Sequence, residues 1–445
     1  MDVRRAFRVI ENPAQLLVVA FLALIAAGTV LLSLPFAADG QHPGVVNALF
    51  MSTSAVTITG MTSFSISELS LFGELVVLLL IQIGGFGIMS IGTVLGLVTA
   101  RRMGLRQRML ARAEIGTVEI GELRALMIGI VKITALVEGA VAVILALRFW
   151  QRGGQDPAEA AYNGIYNSVA AFNNAGMTPS PDSLVPYVDD PVIVVTVSLA
   201  IILGGLGFPV ILELWRRTRP RAWTLHTKLV LSATAGLLVV GPLVVVAFEW
   251  TNPETLGPLD VSGKLLASWF QGVTPRSAGF NTVSIADLNE PTLLVMTGLM
   301  FIGTGPASTG GGIRITTFAL LGYVLWSVVR GDTEATAFRR TIPPIVVRQA
   351  ITVVLLGIGA VFATTLALLA LSDFSLAQTL FEATSAFGTV GLTMGITPEL
   401  NGVAQGLLMV MMLTGRVGAV TIVTALALRQ RPRLYHYPEE RPIVG

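Results

Sequence analysis

The chain contains no cysteine, few charged residues and only three histidines. The absence of cysteine excludes disulfide frameworks, thiol catalysis and cysteine-ligated metals. The histidines, His42, His226 and His436, lie far apart in the sequence, which argues against a zinc site. Charged residues make up 13% of the 445 residues, about half of what a soluble chain needs to cover its surface. With 29 basic and 27 acidic residues the chain also lacks the basic excess of a general nucleic-acid binder.

Apolar sequence is what the chain has in abundance. The hydrophobic share is 53% and the mean hydropathy is +0.75. Crossing the ~30 Å hydrocarbon core takes roughly 20 residues of helix. Eight stretches are long enough, at residues 15–35, 70–99, 124–149, 190–215, 226–249, 291–329, 346–371 and 402–428. We therefore predict an all-α polytopic membrane protein with eight transmembrane spans.

The connections between these stretches alternate in charge. Basic residues cluster at both ends of the chain and in three loops, for example Arg101, Arg102, Arg106 and Arg108, whereas acidic residues occupy the other loops. Basic loops stay in the cytoplasm. This pattern predicts that both termini are cytoplasmic. The basic face is also a plausible dock for an acidic partner, although ordinary topology explains it equally well.

Each acidic connection is too long for a simple loop, and its apolar part is too short for another span. Their partly apolar segments lie at residues 47–62, 160–178, 263–282 and 376–394. Each segment is typical of a half-length helix followed by a glycine-containing loop. Irregular backbone at membrane depth is tolerated only where protein buries it or where it lines water. Four such segments predict a central aqueous path.

The four segments form an internal repeat. Aligned on Gly60, Gly176, Gly279 and Gly391, they share a small residue before the glycine, a large apolar residue after it and then Thr or Asn. The glycines are 116, 103 and 112 residues apart. A second glycine-rich patch follows 24, 28, 24 and 24 residues later, beginning at Gly84, Gly204, Gly303 and Gly415. We predict four span–pore-helix–span units around one pore, with the second glycine patches serving close helix packing.

A ring of four such loops can bind a cation with backbone carbonyls, as potassium filters do. Turning every carbonyl toward one axis needs unusual dihedral angles, and glycine adopts positive φ at little cost. Any single loop could instead be an ordinary turn. Four loops in register favour an ion filter.

The loop sequences resemble those of the Ktr/Trk/HKT family of potassium transporters. The resemblance rests on Asn173-Asn174-Ala175-Gly176, on Arg276-Ser277-Ala278-Gly279-Phe280-Asn281 and on Phe387-Gly388-Thr389-Val390-Gly391-Leu392-Thr393, and it covers about residues 15–430. With a single span before its first loop, the chain is most similar to the Ktr translocating subunit. Glycine at the first filter position accompanies potassium preference in that family, so Gly60 points to potassium.

The resemblance implies a set of ion-binding residues and partners. The filter for K⁺ would comprise Thr57, Ile58, Thr59, Gly60, Asn173, Asn174, Ala175, Gly176, Ser277, Ala278, Gly279, Thr389, Val390 and Gly391. It further implies a homodimer in the bacterial plasma membrane, surrounded by lipid, and a cytoplasmic ring that binds the nucleotide. Na⁺ would act as an activator, and the chain itself would carry no covalent cofactor.

The sixth hydrophobic stretch is interrupted in its middle. Residues 303–312 hold Gly303, Thr304, Gly305, Ser308, Thr309, Gly310, Gly311 and Gly312 together with a proline, a composition that cannot stay regular helix. The Gly-Lys-Ser/Thr ending of a phosphate-binding loop is absent, which argues against ATP hydrolysis. The segment is either a flexible kink or, as the family implies, an intramembrane gate.

Arg416 lies in the middle of the last stretch, where an ionised side chain is costly unless it faces protein or water. The repeat aligns it with Gly85, Gly205 and Thr304. It is therefore either a gate residue, as the family implies, or a structural tie to helix carbonyls. Glu382, in the fourth half-helix, is expected to accept hydrogen bonds from its own loop.

The predicted organisation is residues 1–112, 113–222, 223–340 with the gate, and 341–430 as four units, followed by a tail at 431–445. Two other classes remain as alternatives. A carrier would need inverted repeats and two broken spans, and only one span here is badly broken in sequence. A membrane enzyme would need a catalytic cluster that the chain lacks. Within the favoured class, the alternative is a sodium or mixed monovalent-cation permease.

Overall fold

The computed structural model describes residues 13–39, 44–101, 120–216 and 219–418, and it is built mainly from α-helices. The helices are α1 (Pro13–Leu32), α2 (Gly44–Thr57), α3 (Leu71–Arg101), α4 (Ile120–Gly153), α5 (Pro157–Phe172), α6 (Pro191–Leu206), α7 (Phe208–Trp215), α8 (Leu225–Glu249), α9 (Val261–Val273), α10 (Glu290–Phe301), α11 (Ile315–Arg330), α12 (Pro344–Leu371), α13 (Leu376–Gly388) and α14 (Gly402–Leu413). A small hairpin of β1 (Thr336–Ala337) and β2 (Arg340–Thr341) joins α11 to α12. The chain is therefore mostly helical, as predicted, apart from this hairpin.

The number of spans stays a prediction. Among the described residues, three continuous helices are long and apolar enough to cross a membrane: Met127–Arg152, Leu225–Glu249 and Pro344–Leu371. The bent pair α6 and α7 would make a fourth. The basic loop at 102–112, the end of the last predicted stretch and the tail at 431–445 lie outside the described residues.

Four short helices occupy the places predicted for the half-length helices: α2, α5, α9 and α13. Three of them begin at a side chain that caps the free amides of the first turn, a standard helix start. Asp260 accepts from the Gly263 amide at 2.8 Å, and Asp156 and Ser375 cap α5 and α13. Each helix ends where its glycine loop begins. The negative end of each helix dipole therefore faces the loop that follows it.

The predicted break separates α10 from α11. A second break, which the sequence analysis did not predict, lies between α6 and α7. The two helices are bent by 101° at Gly207, whose φ is 90°. Pro209 has no amide hydrogen to donate to the carbonyl of Gly205, so the helical hydrogen bond cannot form there. The Gly205 carbonyl instead accepts from the Gly305 amide at 2.8 Å. The expectation of a single badly broken span is therefore wrong.

A third irregularity follows α14. Residues Thr414–Gly418 form a single π-helical turn that contains Arg416. Such turns are often found at functional sites inside α-helices. Three of the four predicted units thus depart from regular helix in their second span, at Gly207, at residues 302–314 and at Thr414–Gly418.

Candidate functional site

The four predicted filter loops meet in the structure and follow one another around a closed ring. Each loop glycine packs against the carbonyl oxygen of the residue before the glycine in the next loop. A Cβ atom built on the glycine would lie 2.1 Å from that oxygen for Gly60 and Ala175, 2.5 Å for Gly176 and Ala278, 2.7 Å for Gly279 and Val390, and 2.4 Å for Gly391 and Thr59. None of the four positions has space for a side chain.

The backbone conformation repeats from loop to loop. The four glycines have φ values of 92°, 65°, 76° and 92° in chain order. The residue two positions earlier is also left-handed in every loop: φ is 55° at Ile58, 59° at Asn174, 70° at Ser277 and 46° at Thr389. Left-handed backbone costs a non-glycine residue about 1–2 kcal/mol. Such strain at four matching positions requires the surrounding structure to impose it.

The short helices impose this geometry through hydrogen bonds from the loops. The amides of Thr59, Ala175 and Val390 donate at 2.8–2.9 Å to the main-chain carbonyls of Ser54, Ala170 and Ser385, five residues earlier. In the first and fourth loops the glycine amide also donates to a serine hydroxyl at 3.1 Å, Gly60 to Ser54 and Gly391 to Ser385. The sequence analysis missed both serines, although each stands six residues before its loop glycine.

The second glycine patches lie in the span that follows each loop, and they pack this span against the C-terminal end of the short helix. A Cβ atom on Gly84, Gly204 or Gly415 would lie 2.3, 1.9 or 1.8 Å from the carbonyl oxygen of Val56, Phe172 or Phe387, respectively. Each of these carbonyls belongs to the residue four positions before the loop glycine. Only glycine permits so close an approach, as helix packing through small residues requires.

The internal segment 303–312 lies between the second and fourth units. The Gly305 and Thr309 amides donate to the carbonyls of Gly205 and Gly204, at 2.8 and 3.3 Å, and the Gly312 amide donates to the Gly415 carbonyl at 3.2 Å. The carbonyls of Gly204 and Gly205 are freed by the α6–α7 break, and Gly415 belongs to the π-helical turn. Backbone amides of the irregular segment therefore find hydrogen-bond acceptors in the other two irregular spans, because buried backbone groups need hydrogen-bond partners.

The same segment contacts the predicted filter loops directly. The Ser277 hydroxyl donates to the Thr389 carbonyl at 2.7 Å and accepts from the Gly311 amide at 3.2 Å. The Thr309 hydroxyl donates to the carbonyl of Phe172, at the end of α5, at 3.3 Å. One serine thus joins the third loop, the fourth loop and the internal segment.

Two buried arginines hold the internal segment. Arg416 is 1% exposed, and its guanidinium donates to the main-chain carbonyl of Thr309. Arg314, which the sequence analysis did not assign to the site, donates to the Gly310 carbonyl at 2.6 Å. The hydroxyls of Thr304 and Ser308 form a hydrogen bond with each other at 2.7 Å and none with Arg416. The arginines therefore act on the backbone of the segment.

Glu382 is fully buried in α13 and accepts hydrogen bonds from the end of the fourth loop segment and from one residue beyond it. Its donors are the hydroxyls of Thr393 and Thr397, the latter at 3.0 Å, and the Met394 amide at 3.2 Å. The expectation that this carboxylate bonds its own loop is confirmed.

Known proteins resemble this chain along nearly its whole length. The chain is 36% identical to the Ktr system potassium uptake protein B of Bacillus subtilis, over 98% of this chain and 97% of that protein. It is 36% identical to the protein of the same name from Vibrio alginolyticus, over 97% and 94%. The potassium/sodium uptake protein NtpJ of Enterococcus hirae is 32% identical over 98% and 97%.

A solved structure shares the fold. The potassium transporter TrkH from Vibrio parahaemolyticus aligns with a TM-score of 0.68, covering 92% of this chain and 84% of its own, at 20% identity. The family model described as "TrkH: Cation transport protein" matches residues 3–436. The chain therefore belongs to the TrkH family of cation transport proteins, and it is similar in sequence to Ktr-type potassium uptake proteins.

Proposed function

We propose that this protein takes up potassium ions across a bacterial plasma membrane through the ring formed by its four glycine loops. The observation that carries the proposal is the closed ring itself, with left-handed backbone at two matching positions in every loop. In this proposal, the alternation of left-handed and ordinary residues turns successive carbonyls toward the centre of the ring. A stack of inward-facing carbonyls replaces the hydration shell of a potassium ion.

The ions move inward along the membrane potential, which contributes about 2.3 kcal/mol per charge per 100 mV. The negative ends of α2, α5, α9 and α13 face the ring and favour a cation there. The relatives named as potassium uptake proteins support this choice of ion. The protein is a transporter and catalyses no chemical reaction on its cargo.

A sodium or mixed monovalent-cation permease is the second candidate. The relative named as a potassium/sodium uptake protein favours it. The presence of Gly60 at the first filter position supports potassium, because the family resemblance associates glycine there with potassium preference.

The internal segment 303–312 is proposed to gate the pathway. It contacts the filter loops through Ser277 and is held by Arg416 and Arg314. A positive charge beside a cation path opposes conduction, so the closed state would be favoured while Arg416 stays in place. Movement of the segment would then open the path.

Further parts of the proposal follow from the resemblance to the Ktr system. They are eight spans in four units with cytoplasmic termini, a homodimer, a cytoplasmic nucleotide-binding ring as regulator, and Na⁺ as activator. The relatives named as Ktr system proteins support a membrane subunit within such a system.

Uptake of ⁸⁶Rb⁺ into liposomes containing the purified protein tests the function. A potassium-selective protein takes up the tracer, loses uptake when unlabelled K⁺ is added and retains it in a matching excess of Na⁺. Equal competition by Na⁺ would establish the mixed-cation alternative. The absence of uptake by a folded protein, alone and with a Ktr-type ring, would exclude both.

A further inference from the structure

Glu138 lies in the apolar helix α4 and reaches the start of the second filter loop. Its carboxylate accepts from the Asn173 amide nitrogen at 3.0 Å and from the Gln82 amide nitrogen at 3.2 Å. The Gln82 oxygen in turn accepts from Asn173 at 2.9 Å. Asn173 is the first residue predicted for the second filter loop. Three polar side chains from α3, α4 and this loop therefore form one network.

The backbone fixes the same arrangement. The hydroxyl of Ser168, in α5, donates to the main-chain carbonyl of Glu138 at 2.6 Å. On the other side of the network, a Cβ atom built on Gly85 would lie 2.0 Å from the Asn173 side-chain oxygen. Helices α3 and α4 thus enclose Asn173, and its side chain cannot turn without moving one of them.

The charge of Glu138 has no counterpart in the described part of the chain. The ion pairs found there join Arg148 and Arg152 to Asp189 and Asp190, outside this network. The groups that contact the carboxylate are neutral amides. A carboxylate within an apolar helix is costly unless it serves a partner or an ion pathway. Glutamine would fill the same space without that cost.

The cation that this charge can serve is the permeating ion. An ionised carboxylate attracts a cation over a distance of several ångströms, and the attraction is stronger in a weakly polar surrounding than in water. We infer that Glu138 raises the affinity of the second filter loop for its monovalent cation by holding Asn173 in place and supplying a negative charge behind it. This inference rests on the proposed function, because it assigns a role in the same pathway.

Glu138→Gln tests the charge while keeping the shape of the side chain. We expect the Rb⁺ concentration that gives half-maximal uptake into liposomes to rise about fivefold, with a maximal rate within about twofold of wild type. Lys132→Gln is the matched control. Lys132 lies on the same helix and is exposed, and its substitution should leave the half-saturating concentration unchanged.

The outcomes separate the inference from the proposed function. A wild-type protein without uptake contradicts the proposed function itself. An active wild type with unchanged half-saturation in Glu138→Gln, judged folded by size exclusion and melting temperature, overturns the role of Glu138 alone.

If Glu138→Gln does not accumulate, the double variant Glu138→Gln with Asn173→Asp is measured instead, because it keeps one acid and one amide in contact. A half-saturating concentration at or below that of wild type supports the role of the charge. A rise like that expected for Glu138→Gln overturns it.

Discussion

The guanidinium of Arg416 donates a hydrogen bond to the main-chain carbonyl of Thr309, 107 residues away in the sequence. Arg416 belongs to the π-helical turn of the fourth unit and Thr309 to the internal segment of the third. The side chain is buried and, within the described part of the chain, forms no ion pair. Among the described residues the Thr309 carbonyl is the one hydrogen-bond acceptor of this guanidinium, so the position of the segment and that of the arginine depend on each other.

Replacing Arg416 by alanine removes this contact and the positive charge. We expect ⁸⁶Rb⁺ uptake in the absence of the proposed regulatory ring to rise severalfold, because a hydrogen bond from a charged donor contributes about 1.5–3 kcal/mol. Arg416→Lys keeps the charge and should stay closer to wild type. If Arg416 were only a structural tie, the alanine variant would instead lose melting temperature and uptake together.

Deleting Thr304–Gly310 tests the internal segment as a whole. Its two ends already meet, since a Cβ atom on Gly303 would lie 1.9 Å from the Gly311 carbonyl oxygen, so the chain can be rejoined with little displacement. We expect higher uptake that depends less on the regulator, because the bonds to Gly204, Gly205 and Arg416 are lost. Reduced uptake by a normally folded deletion variant would show that the segment lines the conduction path and is required for conduction.

The regular parts of the site could be predicted from the sequence because they repeat. Four glycines in register, each before a large apolar residue, identified the loops, and a second glycine at a matched distance identified the helix that packs behind each loop. The bend at Gly207 was missed because it depends on distant partners, Gly305 and Thr309, which bond the carbonyls that the bend frees. Pro209, four residues after Gly205, was the local signal for it.

Contacts between residues far apart in the sequence could not be predicted either. Ser277 and Thr389 hold equivalent positions in the repeat, but no pattern in the sequence shows that they touch each other or that Ser277 meets Gly311. The hydrogen-bond partners of Glu138 could not be predicted for the same reason, since Gln82 is 56 residues before it and Asn173 is 35 residues after it. Composition and periodicity place a residue in an element, but they do not determine which polar groups meet once the elements pack.

Selectivity should be sensitive to any side chain at the loop glycines. Gly60→Ser adds a Cβ atom 2.1 Å from the Ala175 oxygen at a φ of 92°, so the first and second loops must separate. We expect Na⁺ to compete with ⁸⁶Rb⁺ at least about tenfold better than in wild type, a change of roughly 1.4 kcal/mol. Gly298→Ala is the control, because a Cβ atom there meets nothing within 4 Å. Unchanged selectivity in Gly60→Ser would contradict the four-loop filter.

Ser277 should link the state of the internal segment to the filter. Its hydroxyl accepts from the Gly311 amide and donates to the Thr389 carbonyl, so removing it breaks a bond on each side. Each bond is worth about 1 kcal/mol. We expect Ser277→Ala to increase uptake without the regulator and, in the same protein, to weaken discrimination against Na⁺.

Ser277→Thr keeps the hydroxyl and serves as the control, while Ser277→Gly removes the hydroxyl and also relieves the left-handed strain at this position. If the hydroxyl is what couples the two parts, alanine and glycine should change uptake and selectivity together, and threonine should change neither by more than about twofold. A glycine variant that behaves like wild type would contradict the role of the hydroxyl, because it lacks both hydrogen bonds of Ser277. A change in selectivity without a change in regulator-free uptake would separate the filter from the segment and refute the coupling.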